Sequence, residues 1–387
     1  MAKKILIFSL AYGPRFWGGA ELAVKEITDR IPAERISFDL ITLRFDSALP
    51  REEMMGNVRV YRIGFVATNP GIKDLSSFPL VLNKYLFPFL AFLKARSLHR
   101  QQRYGAVWAI MANYAGFAAL FFKLAYHEVP YILTLQEGDP ISYIKHRVRF
   151  VYPLFRRVFT KADVVQAISR YLADFGRAMG APEPVHVIPN GVDHAVFRPK
   201  RDRHFPALAE GPKVLITTSR LVEKNGVGDI IEALPFLPRE VKFIVLGIGP
   251  LEHALREKAR YSGVGERVFF LGHKTHGEVA ALFDEAHVFV RPALSEGMGS
   301  SFLEAFAAGL PVVATPVGGI PDFLRHEETG LFCEVKNPES IARAVARLFA
   351  DTMLRERIIM NAGKLARTRY DWTMIAREFE EKIFCTL

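Results

Sequence analysis

Cysteine is nearly absent: only Cys333 and Cys385 occur in 387 residues. Neither has metal-ligand spacing, and two cysteines cannot make a disulfide framework, so a reducing compartment fits best. Long hydrophobic runs are missing as well. The most membrane-like segment, Pro79 to Leu93, is interrupted by Asn83, Lys84 and Pro88. Nothing reaches the ~20 apolar residues of a spanning helix. The opening MAKKILIFSLAYGP starts basic, but its short apolar run enters a Gly-Pro turn. It reads as a first buried strand rather than a signal peptide. No GxGxxG follows a strand, which disfavours a nicotinamide oxidoreductase. There is no Asp-x-Asp pair to hold a metal, and His273, His276 and His287 are too scattered to make a metal site. Repeats of solenoid length and recognised nucleic-acid motifs are absent too.

Acidic residues are under-represented in one half only. Met1 to Asn190 holds 25 Lys and Arg against 15 Asp and Glu, while the remainder holds 26 of each. The whole net charge of +10 therefore sits in the first half. A one-sided basic domain suits an anionic partner, whether nucleic acid, an acidic acceptor or an anionic lipid surface; a simple solvated basic surface explains the count equally. Two segments mix cations with bulky rings. Phe78 to Arg103 carries Phe87, Phe89 and Phe92 beside Lys94, Arg96, Arg100 and Arg103. Tyr143 to Lys161 carries Phe150, Tyr152, Phe155 and Phe159 among Lys145, Arg147, Arg149, Arg156 and Arg157. Such helices either lie in a membrane interface or turn their rings toward the protein's own core.

What is present is a regular alternation of strands and helices. Strands are expected at 3–10, 38–43, 58–63, 106–111, 131–135 and 164–168, with helices at 80–100, 115–126 and 169–179. This βα alternation predicts an α/β fold with parallel sheets covered on both faces. VHVIPNGVD, from Val185 to Asp193, has the Pro and Asn-Gly chemistry of a boundary, and the charged stretch 200–211 reads as a linker. The pattern then restarts at 214–218, 241–246, 268–271 and 288–290. It is expected to give two Rossmann-like doubly wound domains, 1–190 and 191–370. The final helix, 371–387, carries Trp372, Ile375 and Phe379, in an apolar stripe that starts at Tyr370 just before it.

The stretch from Ser295 to Leu324, SEGMGSSFLEAFAAGLPVVATPVGGIPDFL, organises the second half. A glycine-rich turn runs from a short strand into a helix beginning near Ser300. A helix start offers unpaired N–H groups and a positive dipole end to an anion. Gly297 and Gly299 allow a close backbone approach. Glu296 and Glu304 flank the turn and suit hydroxyl groups of a sugar or ribose, since carboxylates repel phosphate. The alternative is local: Ser301 and Glu304 fit a capping box. Arg220 and Lys224 leave the end of the strand at 214–218 toward the same crevice. Together with the helix start they make a diphosphate clamp, or else a solvated pair at the start of a helix. Gly247, in LGIGP, either admits a nucleotide or forms a tight turn.

Glu296, seven residues, Glu304, then AxxxGLPVVAT and VGGIPD resemble the donor-site signature of the retaining glycosyltransferases of family 4. GGAE at Gly18 and Gly19 resembles that family's acceptor-side loop, and VHVIPNGVD its interdomain join. The resemblance covers nearly the whole chain. It implies a GT-B architecture of two Rossmann-like domains facing a central cleft, with the last helix packing back on the first. It also implies transfer of a sugar from a nucleoside diphosphate sugar to a glycan, lipid-linked or small-molecule acceptor, with retention and without a metal. By that resemblance Arg220, Lys224 and Glu296 are catalytic. Gly247, Gly297, Met298, Gly299, Ser300, Ser301 and Glu304 bind the donor, Glu304 through its ribose. Gly18, Gly19, Gln136 and Asp139 lie on the acceptor side. Two departures stand out. Relatives carry a histidine near Gln136, and they place the catalytic lysine directly before a glycine, where this chain has Asn225 and Lys224 stands one residue earlier. Glu137 or Asp139 would orient an acceptor hydroxyl, unless Gly-Asp-Pro only forms a turn. The setting implied is cell-envelope polysaccharide biosynthesis in the cytoplasm, either free or peripheral at an anionic membrane face, with no nucleic acid. The alternatives are an epimerase or phosphorylase on the same fold, or a basic nucleic-acid-binding protein.

Overall fold

The computed structural model describes residues 3–13, 18–70, 74, 77–199 and 213–386. The chain forms two compact units, one made of Met1–Glu137, Ile141–Asn190 and Trp372–Leu387, the other of Gly138–Pro140 and Gly191–Asp371. The expected linker, 200–211, lies outside the described residues.

Among the described residues the first unit holds eight strands: β1 (Lys3–Phe8), β2 (Ile36–Leu43), β3 (Glu52–Met55), β4 (Val58–Ile63), β5 (Ala106–Ile110), β6 (Tyr131–Leu135), β7 (Val164–Ala167) and β8 (Val185–Val187). Their order is β3-β4-β2-β1-β5-β6-β7-β8, parallel throughout except that β3 pairs antiparallel with β4. The inner strands read as unbroken apolar runs because helices cover both faces: β5 and β6 are buried at every position. β3 was not expected; EEMM lies half in solvent at the sheet edge and shows no apolar run. β8 arises from residues read as the join between domains, and caps the opposite edge.

The second unit has an all-parallel sheet: β9 (Val214–Thr218), β10 (Lys242–Leu246), β11 (Val268–Gly272), β12 (Val288–Arg291), β13 (Val312–Ala314) and β14 (Leu331–Phe332). Its order is β11-β10-β9-β12-β13-β14. The order reverses between β9 and β12, and a doubly wound sheet binds ligands beyond the carboxyl ends of its strands at such a reversal. The same reversal separates β1 from β5 in the first sheet.

The last helix, Trp372–Phe379, and the π-helical turn Glu380–Phe384 complete the core of the first unit. Trp372, Ile375, Phe379, Ile383 and Phe384 are buried in one cluster with residues of β1, β2 and β5. The Phe379 and Phe384 rings stand 5.0 and 5.3 Å from that of Trp108. Arg35 reaches Glu380 at 3.0 Å. No described helix is long and apolar enough to cross a membrane; the 82–102 helix runs on through Pro88.

Candidate active site

The reversal between β9 and β12 brings two loops together. β9 ends at Thr218 and leads to Arg220 and Lys224; β12 ends at Arg291 and leads to Glu296. Backbone contacts join the loops: the Leu294 N–H donates to the Lys224 carbonyl at 2.7 Å, and a Cβ on Gly226 would lie 2.0 Å from the Pro292 carbonyl oxygen. Arg220 is exposed, and its guanidinium has no hydrogen bond or ion pair among the described residues. Lys224 is mostly covered and pairs with Asp139 at 2.9 Å. Asn225 is buried, its amide donating to the Arg220 carbonyl at 2.7 Å. It shapes the loop and adds no charge, leaving Lys224 as the only lysine side chain there.

Glu296 is held from several directions. Its Oε2 forms an ion pair with Arg291, and its Oε1 accepts from the Gly297 N–H at 3.0 Å. The Glu296 carbonyl accepts from the Gly319 N–H at 3.0 Å. Gly318 makes that contact possible: its φ is +56°, and a Cβ there would lie 1.8 Å from the Glu296 carbonyl oxygen. This is the physical reason VGG follows the Glu-containing loop. Each carboxylate oxygen keeps a lone pair for a further donor.

Arg291 is the residue that sequence reasoning missed. It ends β12, one residue beyond the strand expected at 288–290. Its guanidinium donates to Ser301 Oγ at 2.7 Å and Asn225 Oδ1 at 3.2 Å, pairs with Glu296, and lies 5.3 Å from the Phe302 ring centre. One planar fork thus ties the β9 loop, the β12 loop and the following helix. The signal was available as an arginine five residues before Glu296, but no spacing rule distinguishes it from a solvated one.

The helix Ser300–Ala307 begins at Gly299, whose φ is +83°, without any side-chain cap. The Ser301–Glu304 capping box is therefore not formed: Ser301 is engaged by Arg291, and Glu304 sits beyond the first turn. With no side chain on them, the first N–H groups stay open to an anion. A Cβ on Gly299 would lie 2.7 Å from the Phe302 ring. Met298 is buried, so only its backbone is available to a ligand. Gly247 directly follows β10, and a Cβ there would lie 1.9 Å from the Ser219 carbonyl oxygen. Glu304 is buried, and burial pushes its carboxyl up to about 7 against the pull of Arg291. His276 Nε2 stands 3.9 Å from it.

In the first unit, Gly18 and Gly19 begin the helix Gly19–Asp29 after β1, and the Gly18 N–H donates to Glu21 at 2.9 Å. Gln136 follows β6 and accepts from Asn190 at 3.4 Å. Glu137 accepts from the Ala112 N–H at 2.6 Å and fastens the loop after β6 to that after β5. Met111, at the end of β5, holds a φ of +70°, unusual for a residue with a side chain and placed where that sheet reverses. Among the described residues no three His, Cys, Asp or Glu side chains converge to hold a metal.

Comparison with known proteins agrees with this geometry. Residues 18–191 match the family model described as glycosyl transferase 4-like domain, and residues 200–365 that described as glycosyl transferases group 1. An uncharacterized glycosyltransferase of Methanocaldococcus jannaschii is 26% identical over 97% of this chain and 96% of its own. A GDP-mannose-dependent alpha-(1-6)-phosphatidylinositol monomannoside mannosyltransferase of Mycobacterium tuberculosis is 35% identical, over 51% of this chain and 55% of its own. Among solved structures, a sucrose-phosphate synthase from Thermosynechococcus elongatus shares the fold, with a TM-score of 0.83 at 19% identity over the whole of both chains.

Proposed function

Because the chain belongs to the group 1 glycosyl transferases, with the GT-B fold, we propose that it transfers a hexosyl group from a nucleoside diphosphate sugar, with retention at the anomeric carbon. The observation that carries this reading is the convergence at one sheet reversal of a free arginine, a lysine, an uncapped helix start and two carboxylates. The diphosphate lies against Arg220, Lys224 and the N–H groups at Gly299 to Ser301. As the bond from the anomeric carbon to phosphate breaks, negative charge grows on the leaving oxygen, and these groups stabilise it more than they stabilise the ground state. Glu296, fixed by Arg291 and the Gly318–Gly319 turn, accepts from sugar hydroxyls beside the reacting carbon. Glu304 accepts from the ribose. The acceptor hydroxyl bonds to the anomeric carbon on the face the phosphate leaves, and its proton passes to the departing phosphate oxygen.

The clamp of cations serves the diphosphate without a metal ion, so chelator should leave turnover intact. The first unit takes the acceptor, beside Gly18, Gly19 and Gln136. The M. tuberculosis relative, named for GDP-mannose and a phosphatidylinositol mannoside, supports a hexose donor and a lipid-linked acceptor, and with it attachment at an anionic membrane face. The test is a panel of UDP-, GDP- and ADP-sugars assayed for transfer or hydrolysis, with and without chelator. One donor should be turned over, and Arg220→Ala should lower that turnover by ~10²-fold, the scale of losing one charge-stabilising donor. Turnover that survives Arg220→Ala, or that chelator abolishes, overturns the scheme.

A further inference from the structure

The basic excess of the first unit is concentrated where acids are missing. No Asp or Glu occurs between Asp74 and Glu128, nor between Asp139 and Asp163. The structure divides the rings of these segments. Phe87, Phe155 and Phe159 are buried in the unit's own core and Phe92 is half-buried, so three of the seven expected interfacial rings serve packing outright. The others face out. Tyr85, Phe89 and Leu93 follow each other at four-residue steps along the exposed face of the helix Leu82–Gln102. Phe150 is 84% exposed in the turn that follows the helix Ile141–Arg147.

These two groups are one surface. The Tyr85 ring meets Tyr114 edge-on at 5.8 Å, and the charge of Arg147 bears on the Tyr114 hydroxyl. Arg147 in turn lies 5.7 Å from the Tyr143 ring centre. Cations are seated at the exposed rings: Lys84 is 5.0 Å from the centre of Tyr85, and Arg149 is 4.4 Å from that of Phe150. Beside them, Arg156 and Arg157 line a surface concavity of ≈ 530 Å³ with Pro153, Leu154 and Thr160. Lys94 and Lys123 are set apart, since Glu52 and Asp163 pair with them. Lys84, Lys145, Arg147, Arg149, Arg156 and Arg157 have no ion pair among the described residues.

We propose that this face docks on a lipid bilayer bearing anionic headgroups, with Phe89, Leu93 and Phe150 at the acyl boundary and the unpaired cations at headgroup level. The inference rests on the lipid-linked acceptor of the proposed function. Exposed rings carrying adjacent cations match the layering of an interface, apolar below and anionic above. The acid-free surroundings supply charge complementarity over the whole patch rather than at one fitted pocket. Attachment of this kind is reversible, because a few rings and cations do not approach the hold of a spanning helix.

Co-sedimentation of the full chain with vesicles tests it without donor or acceptor, so the outcome is independent of whether the transfer reaction is correct. The protein should pellet with phosphatidylcholine mixed with phosphatidylglycerol and not with phosphatidylcholine alone, and raised salt should release it. Each cation neutralised should weaken binding about fivefold. Lys145→Gln with Arg149→Gln should therefore lower it about 25-fold on the same scale. Phe89→Ser with Phe150→Ser should weaken it at every salt concentration. Melting shifts with nucleoside diphosphates should be unchanged in both pairs, which shows that the variants are folded. Failure to pellet at low salt, equal pelleting with neutral lipid, or wild-type binding by both pairs overturns the proposal. Retention on an acidic polymer without vesicle binding also overturns it, in favour of an acidic macromolecular partner.

Discussion

At the scale of single residues, Glu304 is a carboxyl group placed where ionisation is hard. Its pKa rises to about 7 in the folded chain because water is excluded, and Arg291 offsets only part of that. In the unfolded chain the group titrates at its ordinary 4.5. The folded state therefore binds the proton more tightly, and the associated stability is complete below the unfolded pKa and is lost as pH rises through about 7. Glu304→Gln cannot ionise. Its stability relative to wild type should increase from pH 5 to pH 8 by at most about 3 kcal/mol, read from denaturant melts at each pH. If Glu304 also accepts from the ribose, its ionised form binds best. Affinity for a nucleotide sugar, whose diphosphate does not titrate in this range, should then climb as pH passes through about 7 in wild type and stay flat in Glu304→Gln. A pH-independent affinity in both proteins would remove Glu304 from the ribose site.

At the scale of elements, the β12 loop and its helix act as one piece because Arg291 fastens them. Arg291→Gln leaves Glu296 without its counter-charge in a largely covered site, and breaking a buried pair from one side costs about 3 kcal/mol. Arg291→Lys keeps the charge and loses the fork to Ser301 and Asn225, so it should cost about 1–2 kcal/mol. Melts of the two variants check the order. Equal losses would mean that the forked contacts rather than the charge hold the loop. Much of this element was legible beforehand: the short strand, the glycine turn and the helix start at Ser300 follow from local chemistry. The tie was not, because the partners of Arg291 at 225 and 296 become neighbours only through the reversal of strand order. The exposed and buried rings of 82–102 and 152–160 were mixed for a related reason. A ring-rich helix shows that some stripe is buried, and the neighbouring helix decides which. β3 and the two-residue β14 were invisible because edge strands carry little apolar pattern of their own.

At the scale of the whole molecule, the first unit is discontinuous in sequence. Trp372, Ile375, Phe379, Ile383 and Phe384 fill its core from the far end of the chain. Removing residues 372–386 should uncover Trp108 and Phe38 and unfold that unit, as the loss of several large buried rings predicts. The second unit should persist. Limited proteolysis should then leave a resistant fragment within 191–371 that still shows a nucleotide-dependent melting shift. Resistance of both units would show that the final helix is an accessory rather than part of the core.

The second unit closes on itself: the Val192 N–H donates to the Tyr370 carbonyl at 2.7 Å, and Val192 bridges Asp371. Its two ends meet side by side, so it is an insertion carried inside the first. This sets an order on the ribosome. The nascent chain emits the eight strands of the first sheet early, yet their core stays open while about two hundred further residues emerge, at roughly 5–20 residues per second. The inserted unit is complete only once residue 371 clears the exit tunnel, and the final helix follows directly behind it, so the two units finish almost together. For that interval of tens of seconds, apolar faces of the first sheet are exposed to chaperones or to a neighbouring nascent chain. Slowing translation between residues 191 and 371 should therefore lengthen chaperone association with the first 190 residues.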